Sequence, residues 1–193
     1  MNLTEIATIV KDMINDTTAT VDQHIIDSVN YLSNFFHLEK IDISDTTVAD
    51  QNYLEVPTLC KKMRRLVIND EEIKKLEDFE DLEIVEDCDV PRWYEDDGKI
   101  QLTEEMETTG DAIKKWYNKK FVVPTADVDT DVPDEMLELV YVGAAMRYWR
   151  KIVSAVASNR EEYPDVDPDE ARRILDHWKD QFDYLFKEYK KER

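Results

Sequence analysis

The chain has 193 residues, 42% of them hydrophobic and 36% charged, with 45 acidic side chains against 25 basic ones and a formal net charge of −20. That apolar fraction suffices for a packed core and excludes a disordered chain. The acidic excess excludes nonspecific binding of duplex DNA, which needs lysine and arginine to displace counterions, and disfavours anionic membranes.

The acidity is steepest at the start, where residues 1–60 carry 10 acids and 2 bases. Leu3, Ile6, Ala7, Val10, Met13 and Ile14 recur at helical spacing, with Thr4 as a candidate cap. Thr17-Thr18 breaks the pattern. Thr20 is then a candidate cap for a second helix with Ile25, Val29, Leu32 and Phe36 on one face, and the short link predicts an antiparallel hairpin over residues 1–38.

From Leu38 the period shortens to two. Lys40–Ser44, Tyr53–Val56 and Arg65–Ile68 read as strands. Asn69-Asp70 reads as a turn into a short helix, Glu71 to Leu76. The acidic stretch 77–89 reads as a loop and then an edge strand. Trp93-Tyr94 and Ile100–Leu102 flank Asp97-Gly98, a pair that tolerates positive φ and so predicts a tight hairpin. Asp111–Val123 is a last strand, closing a β-rich portion over residues 39–123.

Residues 124–193 return to helical spacing. Pro133 suits a first helical turn, and the helix to Val156 is apolar on most faces, which predicts a central position. Asp167 and Pro168 open the last helix, whose apolar seam runs from Ala171 through Trp178 to Tyr189. Buried in that seam, Trp178 would cost roughly 3–5 kcal/mol on truncation to alanine. The resulting fold class is α+β: an antiparallel bundle of about four helices with an inserted β-rich portion.

Chemistry-bearing patterns are sparse. Asp127, Asp129 and Asp131, with Glu138 twelfth in the count, imitate the ends of a calcium loop. However, Val132 stands where such a loop turns on glycine, and Pro133 follows. These carboxylates and the similar Asp165, Asp167 and Asp169 read as helix caps. His24, His37 and His177 lack metal-ligand spacing. Cys60 and Cys88 lack a CxxC partner and read as reduced thiols. Three isolated glycines make no phosphate loop. No catalytic, cofactor or metal site is expected, nor a signal peptide. The longest charge-free apolar run, Leu139–Met146, has 8 residues, where a membrane span needs about 20.

Two basic clusters stand out against the acidic background. Lys61, Lys62, Arg64 and Arg65 form one; Lys114, Lys115, Lys119 and Lys120 flank Trp116-Tyr117 in the other. A single-stranded nucleic-acid surface is one reading. Ion pairing with an acidic neighbouring subunit is the favoured one.

From Trp93 onward the chain resembles head–tail adaptor (connector or neck) proteins of tailed phages. The features are a WYEDDGKI hairpin, the strand GDAIKKWYNKKFVVP from Gly110, and an acidic loop running into Val132-Pro133-Asp134-Glu135. The apolar helix MLELVYVGAAMRYWRKIV and the Asp169-Glu170-Ala171-Arg172-Arg173 start of a long final helix complete the likeness. The resemblance implies a non-enzymatic virion protein of the neck, made in the host cytoplasm. It would bind the portal protein and a tail or nozzle protein and assemble with copies of itself into a ring, commonly a dodecamer, through which DNA passes. Lys187, Tyr189, Lys190, Lys191 and Arg193 would then meet the portal. The alternatives are an acidic binding protein that mimics DNA toward a host protein, and an acidic metal-dependent enzyme using the Asp127–Glu138 cluster.

Overall fold

A computed structural model of the chain describes residues 1–76, 91–160 and 165–191. The chain divides into two compact units, Met1–Phe36 with Phe121–Arg193, and His37–Lys120.

The first unit is helical. Helix α1 spans Leu3–Met13 and α2 spans Asp22–Phe35. A short 3-10 turn, Asp134–Met136, leads into α3, Leu137–Ser158, and α4 spans Pro168–Lys191. Helix α1 is capped by Asn2 rather than Thr4. The Asn2 side chain accepts from the Glu5 N–H, and the Glu5 carboxylate accepts from the Asn2 N–H, both at 3.0 Å. This reciprocal pair satisfies two of the donors that a helix start leaves over. Thr20 caps nothing: α2 begins after Val21 without a side-chain cap. Asp167 does cap α4, accepting from the Asp169 N–H at 2.9 Å.

Helix α3 is the axis of this unit and packs against α1, α2 and α4. Leu139, Val140, Ala144 and Ala145 are fully buried along it. Gly143 permits a close approach: a Cβ there would meet Phe182 and Ser28 at 3.1 Å. Ser28 and Ser33 turn their hydroxyls back to the helix carbonyls of His24 and Val29, which lets them be buried at small cost.

Among its described residues the second unit holds seven strands, β1 Leu38–Asp42, β2 Tyr53–Glu55, β3 Cys60–Ile68, β4 Glu71–Lys75, β5 Arg92–Asp96, β6 Lys99–Leu102 and β7 Ile113–Lys119. They form one curled mixed sheet in the order β1-β7-β3-β4-β5-β6-β2. All pairings are antiparallel except β4 with β5. Leu54, Met63, Leu66, Trp93, Ile100 and Ile113 form its own core.

The expected helical bundle with an inserted β-rich portion is therefore not the architecture. The sheet is a compact unit with a separate core, and the chain is a sheet-rich α+β protein. Part of the difference lies at Glu71–Lys75, which is a strand rather than a helix. Asn69 and Asp70 both take positive φ, 51° and 64°, the geometry of a tight two-residue hairpin that folds β4 back on β3. The expected hairpin at Asp97-Gly98 is present, with φ of 45° and 72°. The acidic loop and edge strand expected over 77–89, with Cys88, lie outside the described residues. No described helix is long and apolar enough to cross a membrane.

Candidate interaction surface

The two basic clusters, some fifty positions apart in sequence, become neighbours through the pairing of β3 with β7. Cys60 pairs with Lys119, Lys62 with Asn118, Met63 with Tyr117 and Arg65 with Trp116. The register shifts between Cys60 and Lys62 and again between Met63 and Arg65. Each irregularity brings two consecutive side chains to the surface, Lys61 with Lys62 and Arg64 with Arg65.

The second irregularity builds a groove. Ile41, Trp116 and Arg65 form a row across β1, β7 and β3. The Arg65 guanidinium lies over the Trp116 ring at 4.9 Å and pairs with Glu72 at 2.9 Å. Arg64 pairs with Glu39 at 3.2 Å. Together with Lys40, Tyr117 and Asn118 these side chains line a depression of about 440 Å³. Asn118 is only 5% exposed, and its side-chain carbonyl oxygen has no hydrogen-bond partner. Ile41, in the groove, is 56% exposed, and Ile43 nearby in the chain is 70% exposed. Strand β1, which carries Ile41 and ends just before Ile43, is an edge of the sheet among the described strands.

The expected contact residues fall into distinct settings. Lys114 bridges to Asp70 at 2.6 Å, and Lys62 and Lys120 are exposed. Lys115 is not a surface residue: at 1% exposure, its ammonium donates to the Asp45 carboxylate and to the Glu55 carbonyl. It presents no charge to a neighbour. Glu39, Ile41 and Asn118 also line the groove, and Glu72 pairs with its Arg65. Of these, only Ile41 carries a local sequence signal, the strand alternation of Lys40–Ser44.

A second exposed face lies on the helical unit. Tyr31, Phe35 and Phe36 of α2 and its cap meet Phe182 and Phe186 of α4, with ring centroids 5.1–6.2 Å apart. Tyr31 is 37% and Phe35 48% exposed. Arg147 lies over Tyr31 at 5.5 Å. Beyond this cluster α4 ends in Lys187, Tyr189, Lys190 and Lys191, with Lys191 paired to Glu188 at 3.0 Å. Arg193 is outside the described residues.

The acidic loop before α3 has structural duties. Asp131 accepts from the Val122 N–H at 2.5 Å, and Thr130 donates to the Val122 carbonyl at 2.7 Å. Asp129 faces the N-terminal amine at 3.6 Å. Among the described residues no three His, Cys, Asp or Glu side chains gather in a way that would hold a metal ion. His24 meets the Tyr148 ring edge-on, and its imidazole is pushed below the usual histidine range, chiefly by burial and then by Lys151. Burial raises the Cys60 thiol, which keeps it protonated and a poor nucleophile. No protein-family model matches the chain, and no curated protein matches it in sequence.

Proposed function

We propose that this chain is a structural subunit of a phage neck, a head–tail adaptor whose copies close into a ring between the portal and the tail and let DNA pass through. The observation that carries this reading is the pair of chemically different docking faces, an aromatic cluster ending in a basic helix tip and a basic, Trp116-centred groove. One of these faces would meet a neighbouring copy, through the heterologous contact that closed rings use, and the other the portal. A net charge of −20 suits a channel wall, since phosphates slide past an acidic surface without sticking. The separate sheet core removes the helical-bundle part of the resemblance, so the proposal rests on surface chemistry and on the adaptor-like motifs after Trp93.

In this reading the tip of α4, Lys187 with Tyr189, Lys190 and Lys191, engages acidic ground on the portal, and the aromatic cluster beside it supplies apolar area. Co-sedimentation with the portal protein encoded in the same genome tests it. The full chain pellets with the portal, and a chain ending at Phe186 keeps its circular dichroism spectrum but binds more weakly. A full chain that stays in the supernatant overturns the adaptor reading. Equal binding after the deletion overturns the role given to the helix tip.

A further inference from the structure

We infer that the turn tipped by Leu59 seats in the cleft over Ile73 and Met106 of a second copy of this chain. The inference rests on the ring reading for its occupant and goes beyond it in naming the two surfaces that meet.

The projecting surface is a firmly tied turn. The Cys60 N–H donates to the Pro57 carbonyl at 3.0 Å, and the Lys120 N–H donates to the Leu59 carbonyl at 2.8 Å, which fastens the turn to the end of β7. Leu59 is 38% exposed and holds a φ of 62°. An exposed leucine is ordinary by itself. A leucine at positive φ is not, because glycine or asparagine takes that conformation at less cost. Local folding does not favour leucine here, which points to a use for its side chain. Lys62 and Lys120, near the turn, are exposed, and neither forms an ion pair among the described residues. Residues 56–69 contain no acid. The turn adjoins the Trp116 groove, with Cys60 pairing with Lys119, next to Asn118.

The receiving surface lies at the other end of β3. A cleft of about 300 Å³ opens beside Asn69, with Ile73, Leu102 and Met106 as its apolar floor. Glu71, Glu104, Glu105 and Glu107 stand around it. All four are exposed, and none forms an ion pair among the described residues. Carboxylates alone would suit any cation. The apolar floor asks for an apolar group carried among cations, and the Leu59 turn has that composition. The acidic rim repels phosphates, which disfavours a nucleic-acid strand as the occupant.

Strand β3 runs for 9 residues, roughly 30 Å, between the two surfaces, so they cannot meet within one copy. They are unlike, so their contact is heterologous and leaves each copy with one of each still open, as a ring requires.

Carbodiimide coupling of the full chain tests this. It condenses a touching lysine and carboxylate into an amide, the reagent taking up the water. Unlabelled and heavy-nitrogen-labelled chains are mixed at high concentration, and mass spectrometry finds mixed-isotope amides joining Lys62 or Lys120 to Glu104, Glu105 or Glu107. Leu59→Gly suits the positive φ and keeps the parent's melting transition. It lowers the yield about tenfold, the share of affinity that one seated leucine supplies. Glu104→Lys with Glu105→Lys weakens association in sedimentation velocity, and adding Lys62→Glu and Lys120→Glu to the same chain restores it. Amides within one isotope only, an undiminished yield from Leu59→Gly, or no rescue by the paired reversal each overturn the inference. So do amides from portal lysines to Glu104 or Glu105 in place of those from a second copy once portal is added, which would give the cleft to the portal.

Portal-bound rings without the mixed-isotope amide would refute the Leu59 contact and leave the adaptor reading standing. The amide without portal binding would do the reverse.

Discussion

Lys115 and Asp45 form an ion pair with the lysine end sealed inside the sheet unit. Lys115 is 1% exposed, Asp45 is 38% exposed at its side chain, and the Glu55 carbonyl takes a second hydrogen bond from the ammonium at 2.7 Å. The pair ties β7 to the loop after β1 and to the end of β2. Burying an ammonium is costly, and only its partners offset the cost. Asp45→Ala leaves the charge with one neutral acceptor and should destabilise by about 3 kcal/mol. Lys115→Met keeps the packing and returns Asp45 to water, so its effect should stay within about 1 kcal/mol. Urea denaturation of both variants checks the order.

Gly143 should tolerate no larger residue. Alanine is worth roughly 1 kcal/mol more than glycine inside a helix. Here the added methyl would stand 3.1 Å from Phe182 and from the Ser28 hydroxyl, which are 6% and 2% exposed and have little room to give. Crowding of this kind costs roughly 1–3 kcal/mol, so Gly143→Ala should be destabilising by about 1 kcal/mol net and Gly143→Val by more. Thermal unfolding of the two variants measures it.

The Tyr148 hydroxyl donates to the Asp16 carboxylate at 2.8 Å, joining α3 to the turn after α1. This bond, and then those from Thr18, hold the Asp16 carboxyl below its ordinary range. A carboxylate depressed in the folded state adds stability above its unfolded value, and that stability disappears as pH falls through the lowered one. Tyr148→Phe should therefore cost about 0.5–1 kcal/mol at pH 7, a small figure because Asp16 is solvated. The gap between variant and parent should close in strongly acidic buffer. Paired denaturation curves at the two pH values decide it.

Trp178 shows where periodicity misleads about burial. The seam of α4 is real, but only Ala171 and Phe182 on that helix are buried. Trp178 is half-buried beside His177 and lines an open groove of about 390 Å³ with Trp149 and Ile174. Trp178→Ala should cost about 1–2 kcal/mol rather than the roughly 3–5 kcal/mol of a fully enclosed tryptophan. Guanidinium titration distinguishes the two.

Local chemistry was readable where it acts within a few residues. Asp97-Gly98 turns as its backbone freedom demands, and Asp167 caps α4 as its position before Pro168 predicts. Glu71–Lys75 was misread because EEIKK has good helix formers, and its pairing with β3 and β5 outweighs that preference. The groove was half legible. Its arginines and Trp116 were visible as clusters, but the register that sets Arg65 over Trp116 and Ile41 beside it is non-local. A lysine in a basic run reads as solvated, yet Lys115 is buried. Its acidic partner lies seventy positions away.

The central claim is that copies of this chain close into a ring on a portal. Negative-stain electron microscopy of the purified chain mixed with its portal protein tests it directly. The account predicts an added annular layer, coaxial with the portal and open at its centre, that disappears with Arg65→Glu. A portal that stays bare while the chain remains a folded monomer at saturating concentration would contradict it.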